Sequence, residues 1–292
     1  MEYLRIMHLR GKAFKQPAWQ NRMINFDDEL DKGQESYNQV VGKWWLSQAD
    51  DRSHKIAYKK IAQEIRLFCK HEPETILDFA CGGGQLLAEV AKLFPKSKFI
   101  GVDGSHKMLE KAKERLPQAT FIETYLPDFK LKEKADLVIF CFPNIAPGED
   151  CEDFYNEHGY QHPDDAKVAK YLSEAKDPEE EETDDPEELY DDILTDKVIS
   201  RNLRQLCKDG GMCVRVTYSN AKRADLSKLG QLRTDFEEGC LALPVDGVKA
   251  EQLFSFEESI YKTSKVILDV YHQTEDEDDK TGGYFVSFLR AI

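Results

Sequence analysis

Two short apolar runs, each ending in an aspartate, constrain this chain more than any other feature. Thr75-Ile76-Leu77 leads to Asp78, and Lys98-Phe99-Ile100-Gly101-Val102 leads to Asp103. Between them lie Ala80, Cys81 and the glycines Gly82, Gly83 and Gly84, then a helical pattern from Gln85 to Phe94 that Pro95 ends. Leu86, Leu87, Val90 and Leu93 fall on one side of that helix. Strand, glycine turn, helix and second strand in this order form a right-handed βαβ unit, which puts both carboxylates at the same edge of a parallel sheet.

The alternation continues. Ser105 is placed to cap a helix from His106 to Leu116, with Met108, Leu109 and Ala112 on one face and Pro117 beyond it. Ala119 to Glu123 reads as a third strand. Ala135 to Phe142 reads as a fourth, apolar almost throughout, as a buried parallel strand is. Further on, Val198, Leu203 and Leu206 share a helix face that Asp209-Gly210-Gly211 closes, and Met212 to Tyr218 is a fifth strand. Lys265 to His272 and Gly283 to Leu289 alternate apolar and polar residues, as an antiparallel hairpin does. The expected fold class is α/β: a doubly wound, mostly parallel sheet with a C-terminal antiparallel hairpin. Residues 1–72 form a helical cap, clearest where Tyr58, Ile61, Ile65 and Phe68 recur at helical spacing. Residues 73–292 form the α/β domain, interrupted by an acidic insertion at about 148–192.

Composition narrows the classes. The 292 residues carry a net charge of −15, which disfavours general binding to nucleic acid or an anionic membrane, since phosphates call for a basic surface. From Glu149 to Asp196 there are 20 acids against 3 lysines, so the insertion outweighs the whole deficit. No run approaches the ~18 apolar residues of a membrane span. The basic stretch Met1 to Lys15 has no apolar block, so no signal peptide is expected. The 7 cysteines are odd in number and include no CxxC pair, which suits reduced thiols in a cytoplasmic protein better than disulfides or a zinc knuckle.

The glycine loop lets a ligand approach the backbone closely. Asp103, ending the second strand, suits a pair of ribose hydroxyls. Asp78 separates the ligand classes: a carboxylate beside the loop repels a dinucleotide pyrophosphate but favours a nucleoside that carries positive charge. The dinucleotide fingerprint also places a third glycine where Leu87 stands.

These motifs resemble those of the class I S-adenosylmethionine (SAM) dependent methyltransferases. Ile76 to Gly84 is similar to their first motif, Gly101 to Leu109 to their second strand and helix start, Asp136 to Phe140 to their fourth strand, and Arg201 to Gly211 to the helix and turn before their fifth. The resemblance implies a seven-stranded Rossmann-like sheet and SAM as cofactor. It implies that Asp78 serves the methionine ammonium, that Ala80, Gly82, Gly84 and Gly104 line the cofactor, and that Asp103 holds the ribose. Met108 is then set against adenine, Thr124 and Tyr125 at its edge, and Phe140 and Cys141 by the methionine portion. Two positions depart from the family pattern. Ala80 replaces the first loop glycine, at about 1–2 kcal/mol if its φ is positive. Tyr125 stands where many relatives carry an acid.

The acceptor side is less defined. Methyl transfer needs mainly positioning, and no conclusive base stands out; Asn144, His158, Tyr160 and His162 are the catalytic candidates, one of the histidines being a candidate base, and Tyr155 joins Tyr37 and Trp44 as a substrate-binding candidate. His158 and His162 are four apart, but Gly159 and Pro163 argue against a helical metal pair, and no metal is expected. Tyr37, Trp44 and Trp45 suit either a lid over cofactor and substrate or plain packing of the cap. The acidic insertion is either a solvated loop or a means of attracting a cationic or amine-bearing substrate. The expected activity is methyl transfer to a small molecule by a cytoplasmic monomer or homodimer that binds neither nucleic acid nor membrane. The alternatives are SAM cyclisation or fragmentation that releases methylthioadenosine, and a non-catalytic partner-binding protein.

Overall fold

The computed structural model describes residues 38, 40–124, 129–142, 199–219, 253–263 and 283–292. Two helices lead in, α1 (Val40–Ala49) and α2 (Arg52–Phe68). Then come β1 (Thr75–Phe79), α3 (Gln85–Leu93), β2 (Lys98–Asp103), α4 (His106–Arg115), β3 (Thr120–Glu123) and β4 (Ala135–Cys141). After residue 198 follow helix α5 (199–206), β5 (Cys207–Ser219), β6 (Phe254–Thr263) and β7 (Gly283–Ala291).

All seven strands form one sheet in the order β3-β2-β1-β4-β5-β7-β6. β1 to β5 run parallel, and β7 runs antiparallel to both β5 and β6. From β1 the chain winds outward through β2 and β3, then returns to place β4 on the other side of β1. The carboxyl ends of β1 and β4 therefore flank the point where the strand order reverses, which is where open α/β sheets bind ligands.

Each face of the sheet has its own apolar core. One joins Ile76, Leu137, Ile139, Val214, Val216, Val286 and Phe288 to α2 and α3 through Ile61, Ile65, Leu87 and Val90. The other joins Leu77, Phe79, Val102, Val138, Phe140 and Cys213 to Ile199, Leu203 and Leu206 of α5. α2 starts where Asp51 caps it, accepting a hydrogen bond from Ser53 N at 2.8 Å. It buries His54, Ala57, Ile61, Ala62 and Ile65, so the helix begins one turn earlier than the apolar spacing alone indicates.

One expected strand is not among the described residues, and one expected helix end needs correction. The described strand beside β7 is Phe254–Thr263; the expected Lys265 to His272 strand lies outside the described residues. Asp209-Gly210-Gly211 is not simply a helix stop. Strand pairing already begins at Cys207, opposite Ala135, and resumes at Met212 opposite Leu137, so the glycines sit in a bulge, with Gly210 at φ 71°. Asp136 secures this end: it accepts from Thr75 N at 2.9 Å and pairs with Lys208 at 2.7 Å.

Candidate active site

Asp78 is the fourth residue of β1 and only 2% exposed. It shares register with Gly101 of β2 and Ile139 of β4, on the α2–α3 face of the sheet. Past Phe79 the chain turns sharply. Ala80 has φ 58°, Gly82 φ 53° and Gly84 φ 73°. Ala80 therefore adopts the left-handed conformation that an L side chain resists by about 1–2 kcal/mol. Gly84 is held for a steric reason as well: a Cβ there would lie 3.0 Å from Ala112 Cβ and 3.2 Å from its Cα. At Gly82 a Cβ would meet nothing within 4 Å, so this backbone faces open space.

The loop is closed by Asp103. Its Oδ2 accepts from Gly82 N at 2.8 Å, and its Oδ1 from Ser105 N at 2.9 Å. Ser105 in turn caps α4 by accepting from Met108 N at 3.3 Å. An ionised carboxylate offers about four acceptor sites, so two remain for a ligand. Thr124 follows β3 and is tied to the same place, its N–H donating to Asp103 O at 3.2 Å. Gly104 lies between the two anchors.

Electrostatically the cleft is acidic. Burial pushes the Asp78 carboxyl well above the ordinary carboxylate range, and the Asp103 charge adds to the effect. Burial also raises Asp103, opposed by the N–H groups of Ser105 and Gly82. Among the described residues neither carboxylate has an ion-pair partner. A buried acid beside a partly buried one, with no cation next to either among the described residues, is costly, and a positively charged ligand would remove that cost.

An aromatic wall lines the same side of the sheet. Cys141 ends β4, and Phe142 follows with φ 47°, an outlier for a bulky residue. Its N–H donates to Val216 O at 2.9 Å. The Phe142 ring centroid lies 6.2 Å from Tyr58 of α2 and 5.8 Å, edge-on, from Tyr284 of β7; Tyr58 is 6.1 Å from His54. Among the described residues the buried Tyr284 hydroxyl has no hydrogen-bond partner. Burial raises the Tyr58 phenol, with Cys141 and then Asp78 adding to it, and burial likewise raises the Cys141 thiol beside Asp78. Both therefore stay protonated. Neither the Tyr58 phenol nor the Cys141 thiol is thus an ionised nucleophile.

The fold gathers Asp78, Ala80, Gly82, Gly84, Asp103, Gly104, Thr124 and Cys141 at one sheet edge. Met108 is buried on α4 behind them. Phe140 goes elsewhere: it is 1% exposed on the opposite face, tilted against Phe79 at 6.4 Å. This departs from its expected place by the methionine portion, because strand alternation turns it away from Cys141. Tyr37, Tyr125, Asn144, Tyr155, His158, Tyr160 and His162, with the acidic insertion, lie outside the described residues, as does the side chain of Trp44, whose backbone is in α1. Sequence reading missed Tyr58, His54 and Tyr284. Helical or strand periodicity marks them only as inward-facing.

Residues 76–158 match a family described as "Methyltransferase domain". Over these residues the chain is similar to methyltransferase domains. Trans-aconitate 2-methyltransferase of Afipia carboxidovorans is 42% identical over 74 residues, covering 25% of this chain and 27% of that protein. Malonyl-[acyl-carrier protein] O-methyltransferase of Anoxybacillus flavithermus is 36% identical over 83 residues, covering 28% and 32%. The chain thus spans about a quarter to a third of the length of the curated relatives it matches. Among solved structures, the N-methyltransferase NodS from Bradyrhizobium japonicum WM9 in complex with S-adenosylhomocysteine (SAH) has 12% identity and a TM-score of 0.47, over 90% of this chain and 99% of that one.

SAM is the cofactor that the methyltransferase-domain match implies. The residues present suit it: the open backbone at Gly82 admits a nucleoside, and the uncompensated acids suit a ligand with an ammonium and a sulfonium. No helix among the described residues is long and apolar enough to cross a membrane.

Proposed function

We propose that this protein transfers the methyl group of SAM to a nucleophilic atom of a small-molecule acceptor. Bound SAM supplies a carbon activated by its sulfonium; the sulfur–carbon bond breaks as the acceptor–carbon bond forms, the electron pair remains on sulfur, and the acceptor sheds its proton to water. The observation that carries this reading is the pair of buried Asp78 and partly buried Asp103, with no cation beside them among the described residues, at the mouth of an open glycine loop. Asp78 holds the ammonium. Asp103 keeps the loop shaped and gives its free acceptor sites to the ribose. Tyr58, Phe142 and Cys141 exclude water from the reacting end, and orientation of this kind contributes about 7–11 kcal/mol to a displacement.

Ala80 supports a working site over a decayed one, since the loop keeps its left-handed turn despite the strain. An amine-bearing acceptor fits the acidic cleft and the acidic insertion best. The test is incubation of the protein with methyl-labelled SAM and fractionated cell extract. Label in a small metabolite, with release of SAH, is the expected result. Label only in protein or RNA would overturn the acceptor class, and release of methylthioadenosine without any acceptor would overturn methyl transfer.

A further inference from the structure

Helix α1 is tied to the cofactor loop by a contact that neither the motifs nor the family match contains. The guanidinium of Arg115, at the end of α4, faces two ways. One terminal nitrogen donates to the carbonyl oxygen of Gly83. The other donates to both carboxylate oxygens of Asp50, at 2.9 and 3.1 Å. Asp50 directly follows α1, and its own N–H donates to Leu46 O at 3.1 Å. Leu46 lies over the loop: a Cβ on Gly83 would come 2.7 Å from Leu46 Cδ2. At the other end of this segment, Ser105 Oγ donates to Asn38 Oδ1 at 2.8 Å. The segment from Asn38 to Asp50 is thereby pinned twice, once to the Ser105 that Asp103 grips and once to the glycine loop.

We propose that Arg115 is a positioning residue that makes the docking of α1 and the shape of the glycine loop one equilibrium, so that α1 acts as a latch retaining the bound cofactor. This rests on the SAM reading of the loop. A lone pair between side chains 27% and 43% exposed is worth little. Here the guanidinium is also fixed by the Gly83 carbonyl, and an arginine can serve two acceptors at fixed geometry where a lysine cannot. Ligand that orders the loop holds the carbonyl in place, which holds Arg115, which holds Asp50. By reciprocity, an undocked α1 loosens the loop.

The test uses the full-length protein and SAH as the probe. Dissociation of SAH is followed by stopped flow, and hydrogen exchange of residues 40–50 is compared with and without SAH. Wild type is expected to show protection of α1 on binding. Asp50→Asn removes the latch without touching the loop and should speed SAH release by about 2- to 5-fold with little change in association. Arg115→Ala, which also strips the loop carbonyl, should speed release by about 10-fold or more, and Arg115→Lys should not restore the wild-type rate. Both variants should lose the protection that SAH induces. Wild-type release rates in D50N and R115A, with SAH bound normally by wild type, would overturn the latch alone. Failure of wild type to bind SAH would overturn the cofactor reading and the latch with it.

Discussion

The Gly82 backbone N–H donates to the Asp103 carboxylate at 2.8 Å, linking the middle of the glycine loop to the end of the neighbouring strand. This acid is thus part of the loop's own structure before any ligand arrives. Replacing Asp103 with Ala leaves the N–H groups of Gly82 and Ser105 without their acceptor and removes the ribose contact together. With charge-assisted hydrogen bonds worth about 1.5–3 kcal/mol each, calorimetry should find SAH affinity lower by at least about 10-fold. Unchanged affinity would remove Asp103 from the site.

Asp78 bears on the stability of the protein without ligand. Its carboxyl is raised by burial and then by Asp103, so the folded state binds more protons than the unfolded one at pH values above about 4. The empty protein therefore loses stability as pH climbs from the ordinary carboxylate range through the raised value. Asp78→Asn should increase the Tm of the empty protein, by about 2–4 °C for each kcal/mol gained, flatten that pH dependence, and weaken SAM binding. A lower Tm would mean that the charge is compensated.

His54 carries the reverse sign. Burial lowers its imidazole from 6.5 to about 4, with Asp51 opposing weakly. The folded state then binds fewer protons than the unfolded chain between those values, so stability present above pH 6.5 drains away as pH falls towards 4. The whole effect is about 3 kcal/mol. A variant such as His54→Gln should show a smaller fall in urea-derived stability between pH 7 and 5 than wild type does.

Ala80 and Gly84 offer paired tests of loop geometry. Ala80→Gly relieves about 1–2 kcal/mol of left-handed strain and gives back about 0.4–1 kcal/mol of unfolded-state entropy, leaving a net gain of about 0.5–1 kcal/mol with SAH binding preserved. Gly84→Ala adds both the strain and a collision with the Ala112 backbone. It should lower the Tm by several degrees and weaken SAH binding. Equal behaviour of the two variants would contradict the φ values.

Much of the fold is legible in the sequence because central parallel strands are buried on both faces and read as uninterrupted apolar runs. Leu77, Phe79, Val102 and Val138 announce themselves that way. β6 does not. A bulge between Phe256 and Glu258 shifts its register, so Phe254 and Phe256 pack on the α5 face while Ile260 packs on the other. Two-residue alternation fails across that point, and the strand reads as polar. The site is legible where it is built from backbone requirements, glycines and strand-end acids. It is illegible where it depends on long-range approach: Tyr58 reaches Phe142 from α2, and Arg115 reaches Asp50 across 65 positions. Nothing local marks either residue.

The buried Asp78 carboxyl of β1, costly to ionise without a cation beside it, has a consequence for the protein's life in a cell. The vacant form is the weaker one, and ligand that binds only the folded chain raises its stability by mass action. Quality-control proteases act on whatever fraction is transiently open. If SAM is the ligand, as proposed above, abundance of this protein is expected to track the supply of SAM, so that starvation for it thins out the protein itself.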